Sequence, residues 1–477
     1  MVFSSMLFVF LFLPANMLSQ IFLPSAKAKN IAMLAFSLVF YSWAGPRYLL
    51  LLLGMVLVCW AGAICIEDAP RERRRLWLTV TVALCLAILG VFKYLGFLLE
   101  NVQSLLGVPK VIPSIVLPIG ISFYTFQLIS YVADVYRGEV EAQRTYWMLL
   151  LYASLFHQCI AGPIVRYKDV NEDILARETQ PREVSAGVSR FTVGLAKKAV
   201  LANGCAVIAD QLLVFDGQAL GAVPAMGILL GAAAYTMQIY LDFSAYSDMA
   251  IGMGLMCGLH YRENFNYPYM SGSITEFWRR WHISLSSFFR DYVYIPLGGS
   301  RCGTGRQLLN LLVVWFLTGL WHGASWNFIL WGLFFGVLLA VERFVLGPDA
   351  QRWLPQVLRH GGVLILVTFS WIIFKFTDGA LLATAVKGLF GLNHNGFSSP
   401  AVSLLFKNNV YFLLLACAAC TPLGRTVRTV LRNLGRRNSL AWWINAVWEA
   451  VHPVLLLILA AMALVGDSYN PFIYFQF

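Results

Sequence analysis

Apolar residues in this chain come in long unbroken runs rather than in stripes along a polar surface. The runs fall at 3–24, 30–44, 47–65, 76–98, 113–133, 145–162, 186–214, 222–258, 308–322, 326–346, 361–378, 408–423 and 443–465. A run of about 20 apolar residues crosses the hydrocarbon core of a bilayer as a helix. Inside lipid every backbone polar group must be satisfied within its own segment, which favours helices over open strands. A membrane barrel would show short alternating segments instead. The pattern therefore predicts an all-α, polytopic transmembrane helical protein with about 11–13 membrane helices. It reads as a single domain over 1–477.

Two connecting segments break the pattern. The first, 165–185, is rich in charge: Arg166, Lys168, Asp169, Glu172, Asp173, Arg177 and Glu178. The second is 261–306, where Phe277, Trp278, Trp281, Leu285, Phe288 and Phe289 recur at helical spacing among Arg279, Arg280 and Arg290. That spacing predicts an amphipathic helix lying at the cytoplasmic interface or partly inserted. Its plainest use would be to anchor the chain to the membrane.

Composition agrees with the runs. The chain is 59% hydrophobic and 12% charged, whereas soluble domains carry about 25% charged residues. The net charge of +11 is gathered in short clusters between apolar runs. These are Lys27 and Lys29; Arg71, Arg73, Arg74 and Arg75; and Arg425, Arg428, Arg432, Arg436 and Arg437. Such loops mark the cytoplasmic side of a membrane protein and not a nucleic-acid surface. They place 66–75 and 424–438 inside, and Met1 and Phe477 outside. The expected surroundings are membrane lipid. The first run lacks the basic start and small-residue cleavage site of a removable signal peptide, so it is expected to be retained. The nine cysteines lie mostly within apolar runs and read as small buried residues. Cys417 and Cys420 have C-x-x-C spacing, but no matching ligand set lies nearby, so no metal site is expected.

Histidine is the first candidate for acid–base work near neutral pH. His360 is expected in a basic loop and His394 in a polar outer loop, both solvated, while His260 ends a span and His452 precedes Pro453 within one. His157 lies close to the Ala161-Gly162-Pro163 break. His322 differs, because Trp321-His322-Gly323 through Trp326 falls between two strongly apolar spans. An ionisable group at membrane depth faces a partner or a cavity when it is retained. It can serve catalysis, or it can be a buried imidazole hydrogen-bonded across helices. His282 follows Trp278, Arg279, Arg280 and Trp281, residue types that could hold an anionic, ring-bearing ligand or anchor the chain among headgroups. A third constellation, Gln238, Tyr240, Asp242, Ser244, Tyr246 and Asp248, lies inside a span. Asp242 and Asp248 are six residues apart and do not share one face of a regular helix. They are expected to pair with histidine or arginine, or to line a polar tunnel.

Taken together, these segments resemble the membrane-bound O-acyltransferase family, and most closely its bacterial branch of alginate and peptidoglycan O-acetyltransferases. The resemblance rests on Met1-Val2-Phe3-Ser4-Ser5, on Leu117 to Gln127, and on Ala161 to Arg166. It continues through Asp242 to Asp248, Phe277 to Leu285, Leu320-Trp321-His322-Gly323 and Phe472 to Phe475. Ala245 stands where the family usually has glycine.

The resemblance implies helices around a central tunnel. It implies catalytic roles for His322 and His282, with the third constellation, Trp278, Arg279, Arg280, Trp281, Trp321 and Trp326 along the substrate path. It implies a bacterial inner membrane and acetyl-coenzyme A as the cytoplasmic donor, with no permanently bound cofactor. It further implies an extracytoplasmic SGNH-type acyltransferase partner and a polysaccharide acceptor such as alginate. The alternatives are peptidoglycan as acceptor, a D-alanyl or other acyl group as cargo, and a transporter without bond chemistry. Transporters often have corresponding broken helices in two halves, and the sequence shows no such pair.

Overall fold

A computed structural model describes residues 2–43, 45–109, 115–159, 162–347, 355–436, 438–466 and 472. Every regular element among them is a helix. Among the described residues seven helices are long and apolar enough to cross a membrane: Pro46–Asp68, Arg71–Leu106, Pro181–Leu212, Trp326–Leu346, Gln356–Lys375, Pro400–Ala419 and Ser439–Gly466. The chain is a multi-pass membrane protein.

Several other predicted spans are shortened or interrupted. Among its described residues the run at 145–162 is helical over Tyr146–Ser154. Leu155, Phe156, His157 and Gln158 then continue as irregular but buried chain. Non-helical backbone is tolerated at depth where protein surrounds it. Ala225–Met256 and Thr304–His322 are long helices whose polar residues lower their hydropathy.

The chain divides into two compact units. The first comprises 1–191, 246–263 and 287–293. Its helix Ile121–Arg137 is buried along almost its whole length. Phe3, Phe8, Phe12, Phe40 and Phe156 form an aromatic cluster with ring centroids 4.9–6.1 Å apart. The charged segment at 165–185 is not a loop. It folds as the helix Tyr167–Ala176 and the start of Pro181–Ala196. Arg166 bonds Asp291 at 2.8 Å, and Arg177 bonds the Cys257 carbonyl at 2.9 Å.

The second unit comprises 192–245, 264–286 and 294–477. Its centre is the hairpin of Thr304–His322 and Trp326–Ala340. A Cβ on Gly332 would sit against the Trp315 carbonyl and 2.9 Å from Gly319 N. One on Gly319 would run into the Phe328 carbonyl. The missing side chains let the two backbones touch, as small residues do in membrane helix packing. The basic segment at 424–438 contributes a short helix, Leu423–Gly435. Arg428 and Arg432 on it pair with Glu449, while Val427, Val430 and Leu434 are exposed. That combination suits a helix lying in the membrane interface. The last long helix, Ser439–Gly466, accommodates Pro453 in its interior.

The segment at 261–306 departs from its expected form. It is not one continuous amphipathic helix but is broken, with a helix over Ile274–Arg280 and another over Ile283–Phe289 that runs on as a π-helical turn over Arg290–Tyr294. Ser273 caps the first by accepting from Glu276 N. Glu342 adds a second acceptor, 2.7 Å from Ile274 N. The break falls at Trp281-His282, where His282 takes a left-handed φ of 43°. The apolar positions Phe277, Trp278, Trp281, Leu285, Phe288 and Phe289 are all buried in protein. They are core positions and not a face laid on lipid.

Candidate active site

His322 ends the helix Thr304–His322, and the chain turns back within a few residues at Gly323. Phe328 fills the space beside Gly323 so closely that a Cβ there would strike its ring. This fixes the imidazole among the side chains of the hairpin. Its ring lies edge-on to Trp321 at 4.9 Å, Trp331 at 4.9 Å and Phe374 at 5.2 Å between centroids. His322 keeps 8% of its surface exposed while Trp331 beside it keeps none, so its closure is incomplete.

His282 also reaches Trp321, with centroids 5.7 Å apart. Phe243 meets its ring at 4.7 Å and Phe265 at 6.3 Å. The ring is 1% exposed, and burial holds its pKa down to about 3. Nδ1 lies 3.2 Å from Asn264 Oδ1. Nε2 is buried with no hydrogen-bond partner among the described residues.

The other predicted positions separate into groups. Trp278 and Trp281 do not present free faces to a ligand. Trp278 meets Trp315, Phe335 and Trp331 at 4.5, 4.9 and 5.7 Å. Trp281 meets Trp371 and Phe265 at 4.9 and 5.1 Å. Their stacking partners are the protein's own rings. Tyr240 joins this cluster through Tyr269 at 5.3 Å, and Gln238 is half-buried. Arg280 bonds Glu276 and the Asn266 carbonyl. Arg279 and Trp326 are exposed.

Asp242 is almost fully buried and pairs with Lys198 at 2.6 Å, a lysine where histidine or arginine was expected. Ser244 accepts from Lys197 at 3.0 Å. Both lysines open a one-turn π-helical stretch, Lys197–Ala202, a feature frequent at functional sites. Tyr246 and Asp248 belong to the first unit. There Tyr246 stacks on Phe3 at 4.6 Å, and Asp248 bonds Arg190 at 3.0 Å.

Asn264, Lys197, Lys198 and Arg190 carry no motif of their own. The two lysines could have been found as charges within an apolar run, each needing a partner. Asn264 gives no such signal. Among the other histidines, His157 bonds Tyr261 at 3.2 Å. His260 lies 3.1 Å from both Asp173 and Glu183. His360 is not in an open loop but within Gln356–Lys375, its Nδ1 3.2 Å from the Ser271 carbonyl.

The site thus brings two buried imidazoles against one indole in a polytopic helical protein. Residues 145–386 match the membrane-bound O-acyltransferase family. The chain is 38% identical to a probable alginate O-acetylase of Pseudomonas putida over the full length of both. It is 30% identical to a peptidoglycan O-acetyltransferase of Helicobacter pylori, covering all of this chain and 98% of that one. Over 54% of its length it is 28% identical to a teichoic acid D-alanyltransferase of Bacillus subtilis, covering 67% of that protein. The chain belongs to the membrane-bound O-acyltransferase family and is an acyltransferase.

Proposed function

We propose that this acyltransferase takes acetyl groups from acetyl-coenzyme A on the cytoplasmic side and passes them across the bacterial inner membrane. They would serve O-acetylation of an extracytoplasmic polysaccharide of the alginate type. The observation that carries the reading is the joint placement of His282 and His322 against Trp321. His322 acts as general base on the attacking hydroxyl. As that oxygen bonds the acyl carbon, its proton passes to the imidazole and then to the departing thiolate sulfur. A low-polarity surrounding strengthens each such interaction. The basic cytoplasmic clusters suit the acidic nucleotide of the donor.

Full-length likeness to an alginate O-acetylase at 38% identity favours this acceptor class over peptidoglycan, where the identity is 30%. An SGNH-type acyltransferase outside the membrane would complete transfer to the polymer. Two measurements test the reading. Purified protein should release free thiol from acetyl-coenzyme A when given an acceptor, which a transporter would not do. Cells carrying His322→Ala at normal protein level should lose O-acetyl groups from their polysaccharide. Unchanged acetylation would remove His322 from the chemistry.

A further inference from the structure

We propose that Asn264 is a positioning residue that locks His282 in one tautomer and makes its Nε2 an acceptor for an N–H or O–H group of the bound substrate. This role rests on the acyl-transfer reading above, but its central claim can be measured without turnover.

The argument is one of donors and acceptors. Asn264 is fully buried. Its Oδ1 lies 3.1 Å from Ser284 N, 2.8 Å from Ser284 Oγ and 3.2 Å from His282 Nδ1. A backbone N–H only donates, so the amide group must turn its oxygen, not its NH2, towards Ser284. An amide oxygen only accepts, so the proton of the neutral imidazole must sit on Nδ1. The lone pair is then left on Nε2, which is buried and has no hydrogen-bond partner among the described residues. Phe243, Phe265 and Trp321 pack on the ring and carry no charge. Nothing in that set favours an imidazolium.

The backbone supports the same assignment. The Asn264 carbonyl accepts from Ile283 N at 2.9 Å, and Asn266 N donates to the Arg280 carbonyl at 2.9 Å. The stretch 264–266 therefore clasps the chain on both sides of His282. At that residue φ is +43°, a conformation uncommon for histidine and held only where neighbours over-determine it. Nδ1 also lies 3.4 Å from Ser284 Oγ, whose own proton goes to Asn264 Oδ1, so that hydroxyl faces Nδ1 as an acceptor too. A strained backbone, an Nδ1 set between two acceptors and an unmet buried acceptor at Nε2 converge on one ring. A buried acceptor left unmet costs free energy, which a donor on the bound substrate would recover.

The test is nitrogen NMR of histidine-labelled full-length protein in lipid, with the His282 signals identified by their loss in His282→Asn. Asparagine tolerates the left-handed conformation. The expected spectrum has Nδ1 protonated and Nε2 bare, and Asn264→Leu should convert it to a mixture. Asn264→Asp keeps the acceptor oxygen and should keep the tautomer. Its carboxylate should also favour the imidazolium, moving the acid limb of the activity profile to higher pH.

Turnover in Asn264→Leu should fall about tenfold or more, because the wrong tautomer is costly, and Asn264→Asp should recover much of it near neutral pH. A protonated Nε2 in the native protein would overturn the proposal. So would an unaltered His282 spectrum in folded Asn264→Leu. Absence of turnover in the native protein would instead count against the acyl-transfer reading and leave the tautomer result to stand by itself.

Discussion

Lys198 Nζ lies 2.6 Å from Asp242 Oδ1, and both side chains are about 3% exposed. Lys198 also sits over the Phe472 ring at 4.8 Å. Two opposite charges at this distance compensate each other in surroundings that exclude water. Removing one leaves the other desolvated, at a cost of about 3–5 kcal/mol. Asp242→Ala and Lys198→Ala should each lower the melting temperature of the purified protein sharply. The double change Lys198→Met, Asp242→Leu should recover most of the loss, since an apolar pair carries no stranded charge. A double variant as unstable as the singles would show that the carboxylate serves a further partner.

The hairpin that ends at His322 depends on bare backbone at Gly319 and Gly332. Adding side chains there forces the helices apart, and overpacking of this kind costs about 1–3 kcal/mol. Gly332→Leu should reduce both folded yield and acyl transfer, because it displaces the helix whose last residue is His322. Gly305→Ala lies on the same helix where a Cβ meets open space, and it should leave both unaltered. Equal losses in the two would argue against close backbone approach as the cause, since both changes raise helix propensity.

What the sequence reveals here follows from what apolar runs can encode. Pro46–Asp68 and Ser439–Gly466 are legible because lipid demands unbroken apolar helices. The segment around Phe277 and Phe288 misleads because its helical spacing is real, yet its apolar face turns into protein and not onto lipid. Periodicity reports that one face is buried and does not report against what. The break at His282 is likewise hidden, because no glycine or proline marks it and its strain is held by Asn264, 18 residues away. His322 stands out because an imidazole between apolar runs is costly. Lys198 could have stood out for the same reason, whereas its pairing with Asp242 emerges only from the fold.

His260 gives a pH-dependent contribution to stability. Burial opposes its charge, but hydrogen bonds with Glu183 and Asp173 outweigh this and raise its pKa above the usual value. The folded pKa therefore exceeds the unfolded one. The stabilisation is fully present below the unfolded value of about 6.5 and fades as pH rises through the folded value. The gap in melting temperature between native protein and His260→Gln should be widest below about pH 6.5 and should narrow as pH rises above it. A gap that widens with pH would contradict the assignment.

His322 itself offers the sharpest separation of chemistry from packing. Its ring is held by Trp321, Trp331 and Phe374, so truncation to alanine risks collapsing the wall as well as removing a base. His322→Gln keeps most of the volume and a hydrogen-bonding head, but cannot take up a proton near neutral pH. General base catalysis contributes about 10²–10⁴-fold. The glutamine variant should therefore fold and melt close to the native protein while turnover falls by that factor. Trp331→Ala should do the reverse in kind, because loss of a fully buried indole costs about 3–5 kcal/mol. Its activity, measured per folded molecule, should fall far less than that of His322→Gln. Turnover within a few-fold of native in His322→Gln would reduce the imidazole to a packing element and move the base to another side chain.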